Sequence, residues 1–184
     1  MAIRVLALVG SLRAGSHNRQ LAEAAVKHAP DGVTVEIFEG LGEVPFYNED
    51  LDAEANTPEQ ARRLRAAVSE ADALLLFSPE YNGTMPAVLK NAIDWISRPH
   101  GAGVIKNKPA AVAGTAAGQY GGVWAQEEIR KSLGIAGAKV VDEVLLAVPG
   151  SVNRFAETHP EKDAEVIESL CKVLDRLSSD TMAA

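Results

Sequence analysis

Cysteine is almost absent from this chain of 184 residues. Cys171 is the only one, so no internal disulfide can form and nothing points to an oxidising compartment. Its place among Val166, Ile167, Leu170, Leu174 and Leu177, at helical spacing, reads as a small buried apolar side chain rather than a nucleophile. Long apolar runs are missing too. No stretch approaches the roughly 20 apolar residues of a membrane-spanning helix. Val5 to Val9, behind Arg4 and closed by Gly10 and Arg13, is shorter than the roughly 7–15 residues of a secretory leader's apolar core. A cytoplasmic protein is expected. Positive charge is in deficit, with a formal net charge of −7, which argues against nucleic acid or an anionic membrane as a partner. A locally basic site could still hold a small anion. The four histidines, His17, His28, His100 and His159, are scattered without metal-ligand spacing, so no metal site is expected. No Gly-x-Ser-x-Gly elbow or other nucleophile triad stands out. What remains is ordinary globular composition, 47% hydrophobic and 23% charged, at a length that fits one domain, residues 1–184.

The chain alternates strand and helix. Ile3 to Val9 is a nearly continuous apolar run ended by Gly10, which suits a strand buried on both faces of a parallel sheet. A helix follows to about Ala29. Val33 to Phe38 alternates apolar and polar, as expected nearer a sheet edge. Residues 39–56 form a long connection, of a length that is often functional. Thr57, Pro58 and Gln60 offer a cap, a first helical residue and a capping box for the next helix. That helix turns Ala61, Leu64, Val68 and Ala71 inward and Arg62, Arg63 and Arg65 mostly to water. Ala73 to Phe77 is a third strand, and a helix begins near Pro86. Lys108 to Gly114 is a fourth strand, a helix spans about Val123 to Leu133, and Lys139 to Val148 reads as a fifth strand. A last helix opens at Thr158-His159-Pro160-Glu161 and ends near Leu177, with residues 178–184 as a frayed tail.

Five strands alternating with five helices predict a parallel sheet with helices on both faces, joined by right-handed crossovers. The usual order for five strands is 2-1-3-4-5, which opens a crevice at the carboxyl ends of strands 1 and 3. Two loops flank it. In Gly10-Ser11-Leu12-Arg13-Ala14-Gly15-Ser16-His17-Asn18, glycines permit close backbone approach and the loop enters a helix whose first N–H groups favour an anion. Ser11, Ser16 and Asn18 add donors, and Arg13 can grip a phosphate with two parallel hydrogen bonds. The Walker form fails, since Ser16 stands where its lysine belongs, and the dinucleotide fingerprint fails for want of a third glycine. A monophosphate fits this loop better than a triphosphate. An empty serine-rich helix cap is the plainer alternative. Facing it lies Ser78-Pro79-Glu80-Tyr81-Asn82-Gly83, which composition alone would equally allow as a mere connector. Glu80 could act as acid or base but has no carboxylate or histidine partner nearby in sequence. An anion cradle without acid–base apparatus implies that a cofactor performs the chemistry.

Gly10-Ser-Leu-Arg-x-x-Ser16-x-Asn18, with Pro79-Glu-Tyr-Asn82 and Leu89-Lys-Asn-Ala-Ile-Asp-Trp95, resembles the NADPH-dependent FMN reductase family of the flavodoxin-like fold, whose members include bacterial quinone, azo-dye and chromate reductases. The resemblance runs along nearly the whole chain. It implies FMN as bound cofactor and NADPH or NADH as donor. Electrons would pass to a quinone or similar small acceptor, such as an azo compound, chromate or free flavin. It further implies a phosphate held by Ser11, Arg13, Ser16, Asn18 and the backbone at His17. The flavin ring would lie against Pro79, Glu80, Tyr81 and Asn82, with a further contact from Thr115. Ala116 and Ala117 depart from the serines of some relatives. No side chain is assigned a catalytic role. Family members assemble as dimers or tetramers, and Trp95, Tyr120 and Trp124 are candidate interface residues, the tryptophans equally candidates for the core. An electron carrier of flavodoxin type and a non-redox binding module on the same fold are the competing readings.

Overall fold

The computed structural model describes residues 2–53 and 55–183. Its parallel sheet runs β2-β1-β3-β4-β5, with β6 also on β4. The strands are β1 (Ile3–Val9), β2 (Val33–Ile37), β3 (Ala73–Phe77), β4 (Pro109–Thr115), β5 (Lys139–Val140) and β6 (Leu146–Val148). The longer helices are α1 (His17–Lys27), α2 (Glu59–Glu70), α3 (Ala87–Ile96) and α4 (Val123–Ala136). One turn, α5 (Ser151–Arg154), and a long α6 (Ala164–Met182) follow. The flavodoxin-like order is as expected, but the sheet has six strands rather than five.

Strand periodicity builds the three layers. Successive side chains leave a strand on opposite faces, so Val5, Ala7 and Val9 join Ala73, Leu75 and Phe77 beneath α1 and α6. Leu6, Leu8, Leu74 and Leu76 face α2, α3 and α4. Leu74, Leu75 and Leu76 are fully buried, and each contributes about 1.5–3 kcal/mol. That is why these strands read as unbroken apolar runs. β1 pairs with β2 from Ile3↔Val33 and with β3 from Val5↔Ala73, so the chain reverses direction across the sheet at β1.

The expected strand over residues 139–148 divides in two. Val141 N–H still reaches Ala110 C=O, and then the chain leaves the sheet through Asp142 and Glu143, charged residues that suit a pleated surface poorly. Arg176 holds Glu143 at 2.7 Å. β6 rejoins β4 at Ala113↔Leu146, where the buried Gln126 amide donates to Leu146 C=O at 3.1 Å.

Three helix boundaries also differ. α2 starts after Pro58 with no side-chain cap, because the Thr57 hydroxyl donates instead to Ala53 C=O. The last helix begins only at Ala164, capped by Asp163, after a separate 3₁₀ turn at Pro160–Lys162. It continues to Met182 rather than fraying at 178, supported by the Arg176–Asp180 pair at 3.2 Å and the buried Leu177; Ala184 lies outside the described residues. Cys171 is partly rather than fully buried, its thiol donating to His28 C=O. Among the described residues no helix is long and apolar enough to cross a membrane.

At the carboxyl end of the sheet, β4 passes so close to the chain leaving β3 that a Cβ on Gly114 would lie 2.2 Å from Ser78 O. The obstructing atom is backbone, so it cannot swing away. Gly114→Ala is therefore expected to destabilise the fold by about 1–3 kcal/mol, the scale of core overpacking, read as a lower urea midpoint with unchanged slope.

Candidate functional site

The loops after β1, β3 and β4 meet at one end of the sheet. Gly10 N–H donates to Phe77 C=O at 2.8 Å, and Ser78 N–H donates to Ala113 C=O at 2.9 Å, extending the strand ladder into the loops. Gly10 must be small, since a Cβ there would lie 2.6 Å from both Leu89 and Pro86 of the α3 entry.

The anion-binding half is the turn into α1. Ser16 is the N-cap, its hydroxyl accepting from Arg19 N–H at 3.3 Å. The N–H groups of His17 and Asn18, in the first turn, meet no acceptor among the described residues. Ser11 is half-buried and Arg13 exposed, the guanidinium donating to Ala14 C=O of its own loop at 3.3 Å. The His17 ring packs edge-on to Phe155, with centroids 5.6 Å apart. Burial, and then the neighbouring Arg13 cation, hold its pKa below the ordinary value. The Asn18 side chain serves a different purpose. It is buried, its Oδ1 accepts from Thr115 N–H and its Nδ2 donates to Thr115 C=O, both at 3.0 Å. That double bond pattern pins the start of α1 to the end of β4. The Thr115 hydroxyl is likewise committed, donating to Val148 C=O at 2.7 Å.

The facing wall is a tight hairpin. Tyr81 and Thr84 exchange two main-chain hydrogen bonds, of 3.0 and 3.1 Å, around Asn82 at φ +53° and Gly83 at φ +76°. Two successive positive φ values are what a type I′ turn requires, and Asn-Gly is its commonest sequence. That dipeptide was a legible hairpin signal that a reading of the segment as a plain loop passed over. Pro79 is buried, and Tyr81 and Asn82 are exposed. Glu80 has partners that sequence distance concealed: its Oε2 accepts from the N–H groups of Trp124 and Ala125, at 3.1 and 3.2 Å. Such a carboxylate is a helix cap rather than a free acid or base.

α3 supports a third wall from behind. The Asn91 amide accepts from Tyr47 N–H at 2.8 Å and donates to Val44 and Pro45 C=O, both at 3.1 Å. Trp95 Nε1 donates to Pro45 C=O at 2.8 Å. Residues 44–47 of the long connection are thus held in place, flanked by short 3₁₀ turns at Leu41–Glu43 and Glu49–Leu51. Trp95 is fully buried, stacked edge-on to Tyr47 and covered by Arg65. It belongs to the core and not to an interface. Arg65 also departs from its expected solvated role, pairing with Asp52 at 2.7 Å. Tyr120 and Trp124 remain about half exposed beside the hairpin, with ring centroids 5.2 Å apart.

Comparison with known proteins bears on the family and the fold. Residues 3–153 match the family model described as NADPH-dependent FMN reductase. A 2-hydroxy-1,4-benzoquinone reductase of a Burkholderia species is 44% identical over 130 residues, 71% of this chain and 69% of its own. An NAD(P)H-dependent FMN reductase of Pseudomonas aeruginosa is 44% identical over 131 residues, 71% and 69% of the two chains. The solved structure of a flavoenzyme NAD(P)H:(acceptor) oxidoreductase from Paracoccus denitrificans superposes with a TM-score of 0.87 at 31% identity. It covers 99% of this chain and 98% of that one.

Asn18→Ala would strand a buried N–H and a buried C=O of Thr115, each at about 1–3 kcal/mol. The expected result is a loss of about 2–4 kcal/mol in chemical denaturation, against less than about 1 kcal/mol for Ser11→Ala, whose half-buried hydroxyl water can replace.

Proposed function

The chain belongs to the NADPH-dependent FMN reductase family, and from that premise we propose the parts its residues take in an FMN-dependent NAD(P)H oxidoreductase acting on quinones or similar small acceptors. FMN, when bound, supplies the two-electron chemistry that connects NAD(P)H to the acceptor. The observation that carries the assignment of residues is the unpaired first turn of α1. The N–H groups of His17 and Asn18, aligned with the helix dipole, are donors for a phosphate monoester. Arg13 and Ser11 complete that cradle, and Ser16 holds the turn in shape. Asn18 contributes main-chain N–H and position, its side chain being engaged with Thr115.

The ring side follows from the hairpin. Pro79 to Asn82 present main-chain groups and the Asn82 amide along a rigid turn, which orients a planar ring without lending it an acid or base. Thr115 acts through its main chain and through Asn18, because its hydroxyl faces Val148. The exposed Tyr81, Tyr120 and Trp124 give the mouth an aromatic lining suited to a flat acceptor. Arg13 favours the enzyme over a flavodoxin-type carrier, whose phosphate loop is rich in Thr and Ser and lacks that cation.

Further parts of the reading concern the whole molecule. We read the 184 residues as one flavodoxin-like FMN-binding domain, since both apolar layers draw on the same central strands β1, β3 and β4. Dependence on a donor made inside cells, together with a single thiol, supports a cytoplasmic location. A homo-oligomer, dimer or tetramer, is supported by the outer side of α4. Trp124 and Ile135 are exposed there, and a groove of about 430 Å³ lies between α3 and α4, lined by Lys90, Ile93, Asp94, Ser132 and Ile135.

Three measurements test these assignments. The purified protein is expected to be yellow and to oxidise NADPH or NADH with a benzoquinone; a yellow protein without turnover would mean a carrier, and a colourless one indifferent to FMN would mean neither. Arg13→Ala is expected to weaken FMN binding about tenfold or more, since a charge-assisted hydrogen bond is worth about 1.5–3 kcal/mol and 1.4 kcal/mol is tenfold. Unchanged affinity in a fluorescence titration would remove Arg13 from the phosphate site. Ile135→Asp is expected to lower the mass seen by light scattering, and an unaltered mass would place the contact on another face.

A further inference from the structure

We propose that Glu80 is a positioning residue: by capping α4 it joins two walls of the crevice, and its fixed charge disfavours the reduced state of the flavin. The proposal rests on the reading above, in which residues 79–82 face the ring. Three observations carry it.

The first is that α4 lacks a local cap. The residue before it is Gly122, at φ +87°, with no side chain to accept a hydrogen bond. Val123 N–H donates to Tyr120 C=O, and the next two donors go to Glu80, more than forty residues earlier, whose Oε2 takes Trp124 N–H at 3.1 Å and Ala125 N–H at 3.2 Å.

The second is close packing around that contact. A Cβ on Gly121 would lie 2.7 Å from the main chain of Ala147, and Ala116 N–H donates to Val148 C=O at 3.3 Å, so the loop over residues 116–122 lies tight on β6, while Gly122 stands within ordinary contact distance of Glu80. The third is a second tie between the same elements, in which the Thr84 hydroxyl donates to Glu128 of α4. Hairpin and loop are therefore one unit, and Glu80 is its hinge pin.

Two effects follow, and chemistry separates them. As an acceptor, Glu80 sets the spacing between the hairpin and the loop after β4. A glutamine keeps an oxygen acceptor there and preserves this effect. As a charge, Glu80 places a carboxylate on the residue between Pro79 and Tyr81, where it opposes the build-up of negative charge on a ring gaining electrons. The α4 dipole offsets part of that charge but not all of it, since a helix N-terminus carries roughly half an elementary charge. Glutamine removes the charge while leaving the dipole in place.

The experiment combines FMN titration, potentiometry and thermal unfolding on the full chain. Wild-type protein is first titrated with FMN, and failure to bind overturns the reading of the site itself, before any variant is compared. Glu80→Gln is expected to leave the affinity for oxidised FMN unchanged and to tighten binding of the reduced form about tenfold. For a two-electron couple that is a midpoint about 30 mV more positive. An unchanged midpoint overturns the proposed effect of charge. Glu80→Ala is expected to weaken oxidised FMN binding several-fold, up to about tenfold, and to lower the thermal midpoint of the FMN-free protein, as loss of a helix cap does. Wild-type values for both overturn the joining of the walls. Should Glu80→Ala not fold, the potential of Glu80→Gln decides alone.

Discussion

The buried amide of Asn18 closes the working end of the sheet, and the site depends on that closure. Parallel strands end in loops whose backbone groups have lost their ladder partners, and each must find another or face water. Asn18 supplies both a donor and an acceptor to Thr115, across 97 residues of sequence. The contact forms only because Gly114 lets β4 approach Ser78 closely. The contact anchors the first turn of α1, which carries the His17 and Asn18 N–H groups, to the end of β4.

Two helix N-termini meet at this crevice and are treated oppositely. Among the described residues the His17 and Asn18 N–H groups of the first turn of α1 meet no acceptor, and the Arg13 cation lies near in the same loop. The first turn of α4 is met by the Glu80 carboxylate. An open N-terminus beside a cation favours an anion, whereas one already met by a carboxylate does not, which is the ground for the phosphate position proposed above. The net charge of −7 does not oppose this, because exposed charges beyond about 10 Å are largely screened by salt.

The same division suits oxidoreductase chemistry in which a bound cofactor carries the electrons. What such a cofactor requires from the protein is grip, orientation and a fixed electrostatic setting. Rigid turns serve that need better than mobile side chains, and the wall across from the α1 turn is a type I′ hairpin closed by two Tyr81–Thr84 main-chain hydrogen bonds. α3 contributes from outside, through Asn91 and Trp95, which hold the loop at Val44 to Tyr47 against the crevice.

Periodicity and turn chemistry in the sequence determined the alternation of strands and helices, because those depend on local pattern, and the usual order for such alternation placed the crevice between residues 10–18 and 78–84. Sequence also supplied the resemblance that names the cofactor. What it could not determine were contacts made over long separations: Asn18 with Thr115, Glu80 with α4, Asn91 with Tyr47. No local pattern marks such pairs, since the partners are main-chain groups, and main chain is the same at every position. Trp95 and Trp124 were equally apolar as letters, yet only packing buried one beneath Arg65 and left the other at the crevice mouth. The split of residues 139–148 likewise shows only in the pairing with β4, which the chain leaves after Val141 and rejoins at Leu146. Tertiary structure thus assigned the polar side chains their partners, and the partner is what separates a group that binds a ligand from one that holds the binder in place.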